Sequence, residues 1–358
     1  MVFWGAGDRT MANTSHRFLG SRALGRVLAD LRFKCLDIGA RQGITHDLLP
    51  IASAVDACGF EPDPTECQRL NQGAATEPGP WRSLRFVSAA LGAERGKRTL
   101  HLYRMRGGSS LLEADLEIAR QFARAENFIC EGTVEVQTVP LDEAAGEYDL
   151  EDAVFLKIDI QGAELEVLRS GPRLMGESLL ALRTEVEFIP VYKGQPVFAD
   201  VDALVRSSGF VAMGFVEMRH WRRTTRRRIT FAKGPLPYSR GQLAHADVIY
   251  FRNPDLLRDD TPAAVQRLLQ AAFLALTYDC VDHAQAIFAR PAVREYLLAK
   301  YGLAVEAELA TVSRSLARRR WWDQSLDTAG RVAEAVGRGL CLLVGRPLRV
   351  MGPWQRMY

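Results

Sequence analysis

Residues 155–168 read FLKIDIQGAELEVL, and the fold turns on how this stretch is read. Phe155, Leu156, Ile158 and Ile160 have the character of a buried strand, yet Lys157 and Asp159 stand among them. Burying an ammonium and a carboxylate is costly unless they are paired or used. One reading is a strand end at which polar groups reach water. The other puts Asp159 at the carboxyl edge of a parallel sheet, where doubly wound sheets bind their ligands. The flanking sequence has to separate the two.

Upstream, a helix is expected at 21–32, with Leu24, Val27, Leu28 and Leu31 on one face. CLDIGA (35–40), a helix through 48–54, AVDACGFEP (54–62), a helical TECQRLNQ and the strand LRFVSAAL (84–91) follow. Such alternation of strand and helix points to a parallel sheet covered on both faces. RTLHLYRM (98–105) and TVEVQTVPL (133–141) favour extended structure, and between them the glycine-rich GGSSLL opens into a helix. After FLKIDI come a helix at 163–169, LLALRTEVEF (179–188), a helix at 201–210, VAMGFVEM (211–218) and ADVIYFRN (246–253). The total is about seven strands in an α/β, doubly wound, Rossmann-like arrangement.

From Pro254 the pattern becomes helical only. Val265, Leu268, Leu269, Ala272, Phe273 and Leu276 follow helical spacing, and Ala284, Ile287 and Phe288 begin a second helix that Pro291 should end or restart. The expected organisation is a helical lead-in at 1–33, a sheet domain at 34–253 with a basic insertion at 219–245, and a helical appendage at 255–358.

Composition narrows the class. Apolar content of 47% and charged content of 25% are those of a globular chain, and a net charge of +3 is too small to argue for nucleic acid. The six cysteines form no CxxC pair, which speaks against a zinc ribbon or a disulfide framework and fits a reducing compartment. MVFWGAGDRTMANTSHRF lacks the apolar core of a signal peptide, and the run Leu340 to Val344 is far too short to span a membrane. The expected location is the cytoplasm.

DIGARQG (37–43) places Gly39 and Gly43 directly after a strand, where glycine lets the backbone turn tightly against a ligand. Arg41 occupies the second-glycine place of G-x-G-x-x-G, and Ile44 follows Gly43 where a Walker loop needs lysine. Neither phosphate cradle fits. Asp37 would repel a pyrophosphate but suits a cofactor with an amino group. Glu61, at the end of the second strand, can accept from ribose hydroxyls; its other reading is a cap on the turn before Pro62. Asp37, Gly39, Gly43 and Glu61 together fit S-adenosylmethionine better than NAD.

DIGARQG, GFEP, SAALG (88–92), GGSSLL (107–112), VPLDE (139–143), LKIDIQGAELEVLRSG (156–171) and EVEFIPVYKGQPVF (185–198) resemble the FkbM family of methyltransferases in order and spacing. The resemblance runs from about residue 34 to about residue 253. It implies a seven-stranded S-adenosylmethionine-dependent methyltransferase sheet with the last strand antiparallel, acting on hydroxyls of sugars, polyketides and similar molecules. Arg41, standing where the family usually has Asn, and Ala90, in SAALG, join the expected cofactor contacts. Gln161 stands where the family often has an acid, so no base or metal role is assigned there.

Methyl transfer from a sulfonium is an in-line displacement in which alignment matters most, but an alcohol must lose its proton to a base or metal. Asp159 is the expected organiser of the site and its base; capping of helix 162–169 is a compatible role. Lys157 is first expected to pair with an acid on a neighbouring strand, and direct chemistry is its second reading. Glu185 and Glu187 share one face of the fifth strand, where two adjacent carboxylates resist ionising together and one becomes a usable base. Their plain alternative is that one pairs with Lys157 and the other meets solvent. Glu164 joins the site through the resemblance. Ser109 and Ser110 lie in one candidate substrate loop and Tyr192, Lys193 and Gln195 in another, with Tyr192 placed to stack on a sugar ring. Asp159, Glu164 and Glu185 are hard oxygen ligands, but His46, His101, His220 and His245 are isolated and read as surface or packing residues. No metal is assigned.

HWRRTTRRRITF, before the last strand, carries arginines without an acid. It reads as a solvated loop or as a surface for an anionic partner, with glycan or membrane ranked above nucleic acid. ARRRWWDQ (317–324) and GRGLCLLVGRPLRVMGPW (337–354) mix arginine with tryptophan and leucine, as packed helices or membrane-surface helices do. The leading function is O-methylation of a sugar or glycan hydroxyl. The alternatives are a non-catalytic cofactor-binding module that recruits an anionic partner, and a nucleic-acid methyltransferase. The sequence leaves the oligomeric state open.

Overall fold

Strands β1 (Phe33–Ile38) and β2 (Val55–Phe60) are buried along almost their whole length, as strands covered by helices on both faces must be. In this computed structural model the described residues are 19–77, 79–122, 124–223, 241–315 and 317–318. α1 (Arg22–Asp30), capped by the Ser21 hydroxyl, leads into β1. The helix expected through 48–54 is a 3-10 helix, His46–Ala54, with Pro50 inside it; proline there cannot donate the bond an α-helix needs. α2 (Pro64–Thr76) starts at Asp63, whose carboxylate accepts from the N–H groups of Thr65 and Glu66.

The stretch expected as one strand at 84–91 divides. β3 (Ser83–Val87) pairs with β2, whereas β4 (Ala90–Leu91) belongs to a second sheet with β5 (Gly96–Tyr103) and β6 (Cys130–Val139). Within the connection from β5 to β6 lies the short α3 (Leu116–Gln121). That connection packs Tyr103, Phe122 and Phe128 with Ile189, Tyr192 and Trp221 into a small apolar core of its own. After α4 (Leu141–Glu147) come β7 (Phe155–Ile158), α5 (Glu164–Arg169), β8 (Ala181–Glu187) and α6 (Phe198–Ser207). β9 (Phe210–Trp221) and β10 (Gln242–Arg252) close the large sheet.

The seven strands run in the order β3-β2-β1-β7-β8-β10-β9, and β10 is antiparallel to both neighbours. The order reverses between β1 and β7, so the crevice at a switch point opens where Asp37 and Asp159 end their strands. The basic segment set at 219–245 is strand at both ends, with Trp221 opposite Gln242. Residues 224–240, which carry most of its arginines, lie outside the described residues.

α7 (Pro262–Thr277), α8 (Val281–Phe288) and α9 (Pro291–Tyr301) follow. Pro291 does restart a helix, at its first turn. These helices are not a separate appendage: the chain forms one compact unit through Glu306 and a second from Ala307. Val265, Leu268, Leu269, Ala272, Phe273 and Leu276 of α7 are buried as their spacing predicts. The ring of Tyr278, just after α7, packs on Phe155 and Phe251, so α7 is stitched to the central strands. The second unit is described only to residue 318, and the tryptophan-rich segments read as packed or membrane-surface helices lie almost wholly outside the described residues. No helix among the described residues is long and apolar enough to cross a membrane.

Candidate active site

The strand-end question posed by FLKIDI has a structural answer in the pairing of β7 with β1. Lys157 lies opposite Asp37 in the register, and its Nζ is 3.4 Å from Asp37 Oδ1 and 3.6 Å from Asp159 Oδ2. The expected pairing with an acid on a neighbouring strand is therefore present. Burial works against the ammonium, but Asp37 and then Asp159 hold its pKa above the ordinary value. Asp37 is buried, and Oδ2 accepts from the Thr45 N–H at 2.7 Å.

Gly39 has φ +87°, and a Cβ there would meet the Asp159 carbonyl oxygen at 1.9 Å. Only glycine lets the first loop lie this close to the end of β7. Gly43, at φ +96°, has open space where a Cβ would stand. Glu61 is buried at the end of β2, and its Oε1 accepts from the Asp63 N–H at 2.9 Å, so it does shape the turn after Pro62. Arg41 Nη1 is 3.7 Å from Glu61 and 3.8 Å from Asp63. Ala90 opens β4 opposite Thr138, in the second sheet.

The bend after β7 is built by its own side chains. Gln161 has a positive φ of 60° and Gly162 one of 107°. Both oxygens of Glu164 hold this bend, accepting from the N–H groups of Ile160 (2.8 Å) and Gly162 (2.9 Å). Burial lifts the Glu164 pKa to about 7. Asp159 does not cap α5, whose N-cap is Ala163 without a side-chain bond. Its Oδ1 accepts instead from Gln161 Nε2 at 2.8 Å, and the same amide donates to Glu185 Oε2 at 2.8 Å.

Glu185 and Glu187 are both buried, and neither pairs with Lys157. The alternative that one of them meets solvent is therefore overturned. β8 is an inner strand of the sheet, and burial, with Asp159 next, pushes the Glu185 pKa up; burial, with Glu164 next, does the same for Glu187. Burial raises Asp159 as well, but the Lys157 ammonium and the Gln161 amide outweigh it and hold that carboxyl below its usual range.

Two residues escaped the sequence reading. His245, read as a packing or surface residue, lies opposite Glu187 on β10 and brings Nδ1 to 2.8 Å from Glu185 Oε1. The antiparallel register of β10 makes this meeting, and no local spacing announces it. Gln161 bonds both acids and is anchored through its own carbonyl, which accepts from the Ser110 hydroxyl at 2.6 Å. Tyr192 does not offer a face for a sugar. It is 2% exposed, packs on Tyr103 and Phe128, and donates to the Gly108 carbonyl at 2.6 Å. Gln195 Oε1 accepts from the N–H groups of Val191 and Tyr192 and closes their turn, while Lys193 pairs with Glu113 at the surface.

Four buried side-chain atoms among the described residues lack a hydrogen bond of good geometry: Asp37 Oδ1, which has only the Lys157 ammonium at 3.4 Å, Ser109 Oγ, Glu187 Oε2 and Gln195 Nε2. Buried polar atoms seldom go unpaired unless a ligand or water completes them. Asp37 Oδ1 beside the glycine loop suits the amino group or hydroxyls of S-adenosylmethionine. Asp37, the Gly39–Gly43 loop and Glu61 would hold that cofactor, which supplies an electrophilic methyl group on sulfur. The parallel sheet, its switch-point crevice and this acid–glycine–acid set define an S-adenosylmethionine-dependent methyltransferase.

Comparison with known proteins agrees. Residues 37–212 match the methyltransferase FkbM domain. It is 27% identical over 178 residues to the 2-O-methyltransferase NoeI of Sinorhizobium fredii (strain NBRC 101917 / NGR234), covering 47% of this chain and 70% of that one. Among solved structures it aligns with the methyltransferase FkbM from Methylobacillus flagellatus KT at 13% identity and a TM-score of 0.32, over 65% of this chain and 47% of that one. This chain thus spans about half of the Methylobacillus protein. The magnesium protoporphyrin IX methyltransferase ChlM from Synechocystis PCC 6803 aligns at 12% identity and a TM-score of 0.31, over 71% of this chain and 86% of that one. Superpositions this loose carry no argument, and the likeness rests on the sequence match over residues 37–212.

Proposed function

We propose that this methyltransferase transfers its methyl group to a hydroxyl of a sugar or glycan-like acceptor. The observation that carries the reading is the mixed character of the orphaned polar atoms in the candidate substrate loops. Gln195 Nε2 can only donate, and Ser109 Oγ can do either. A hydroxyl both accepts and donates, so a polyol satisfies such a set, whereas an ammonium would meet the Gln195 donor head-on. The relative named a 2-O-methyltransferase supports oxygen as the acceptor atom.

Within this reading Asp159 takes the acceptor proton. It holds its charge beside Lys157, and its side chain is about a third exposed, open to an incoming molecule. The Gln161 amide fixes its orientation.

The test is transfer of labelled methyl from S-adenosylmethionine to a panel of oligosaccharides, amines and carboxylic acids. The expected product is a base-stable methyl ether on a saccharide. Asp159→Asn should lower kcat by about a hundredfold or more with cofactor affinity little changed. Label found on nitrogen or as an ester would overturn the acceptor assignment.

A further inference from the structure

We infer that Glu185, Glu187 and His245 form a binding site for a divalent transition-metal ion such as Mn2+, set between β8 and β10 at the carboxyl edge. The two carboxylates are two residues apart on one strand and so share a face, and His245 stands opposite Glu187 on the next strand. One ligand atom from each of the three lies within 4.8 Å of the other two. The 2.8 Å between His245 Nδ1 and Glu185 Oε1 matches an edge of a coordination octahedron, since ligands at about 2.1 Å and right angles stand about 3 Å apart.

A hydrogen bond would explain that distance equally well, but it leaves Glu187 unexplained. Glu187 is 7% exposed, Oε2 has no partner, and among the described residues neither of its oxygens meets a lysine or arginine. Glu185 meets the His245 imidazole, the Gln161 amide and the Asp159 carboxyl, and among the described residues no lysine or arginine. Lys157, on the neighbouring strand β7, is already shared by Asp37 and Asp159. A cation supplies what is missing: a partner for Glu187 Oε2 and charge to balance two buried carboxylates. One imidazole and two carboxylates is a donor set for a first-row divalent ion.

A second grouping, Asp159, Glu164 and Glu185, is also close enough to chelate. It is weaker, because both oxygens of Glu164 are spent on backbone N–H groups and Asp159 already has Lys157. The metal site stands on its own geometry. Its use, as a Lewis acid beside Asp159 that lowers the pKa of an acceptor hydroxyl, rests on the function proposed above.

The full-length protein, stripped with chelator, is titrated with Mn2+ by calorimetry without cofactor or acceptor. One ion per chain is expected, with Glu187→Gln and His245→Ala each weakening binding at least tenfold and Glu126→Gln, on the surface, leaving it unchanged. Absence of Mn2+ binding by the folded protein, or binding that survives both site variants, overturns the site. Should either variant fail to fold, pulsed electron paramagnetic resonance of the wild-type Mn2+ complex decides: coupling to a histidine nitrogen supports the site and its absence overturns it. These readouts involve no methyl acceptor. Failure of the site thus leaves the hydroxyl assignment standing, and failure of that assignment leaves the site.

Discussion

At the scale of single residues, the bend between β7 and α5 concentrates the chemistry. Gln161 accepts a left-handed backbone that costs a non-glycine residue on the order of 1 kcal/mol, and in return its amide reaches Asp159 and Glu185 together. Glu164 holds the same bend from within. In the folded chain it keeps its proton up to about pH 7, whereas the unfolded chain releases it near 4.5. The folded state therefore binds more protons between those values. Its contribution is complete at the acid end of that window and is lost as pH rises towards 7, by up to about 3 kcal/mol. Urea unfolding across pH 4.5–7.5 should show this loss, and Glu164→Gln should flatten the slope while costing about 1–2 kcal/mol at pH 5 through a lost acceptor. An unchanged slope in the variant would assign the pH dependence to other groups.

At the scale of elements, the carboxyl edge is assembled by contacts remote in sequence. Arg183 on β8 is clamped between Asp47, in the 3-10 helix, and Asp247 on β10. Tyr278, after α7, donates to Asp47 Oδ2 at 2.6 Å. The late helices thus reach the loop that follows Gly43, and α7 belongs to the frame of the cofactor site. Tyr278→Phe keeps the ring against Phe155 and Phe251 but removes this bond. It should lower stability by about 1–2 kcal/mol, read as a fall in midpoint at unchanged m-value. No fall would mean that Arg183 alone holds Asp47.

For the molecule as a whole, the compact unit extends to Glu306, past the end of the family match at residue 212. Phe273, Leu268 and Leu269 are fully buried, and removing α7 would bare the apolar surface they cover. A chain ended after residue 253 should be insoluble or melt far below the intact protein, while one ended after Glu306 should show a single cooperative transition near the intact value. Calorimetry of the two truncations checks this. A stable protein ending at 253 would return α7 to 301 to the status of an appendage.

The sequence by itself determined the parallel sheet, the switch-point crevice and the acid–glycine–acid set, because these are local: apolar runs, a glycine after a strand, an acid at a strand end. It also held the helical spacing of α7, although not what α7 covers. Only the tertiary structure decided that LRFVSAAL serves two sheets, that Tyr192 turns inward to an aromatic core, and that His245 meets Glu185 and Glu187. Each of these depends on which strand lies beside which and in what register. Pairing across a sheet joins residues far apart in the chain, and one residue of slip would point every side chain to the other face.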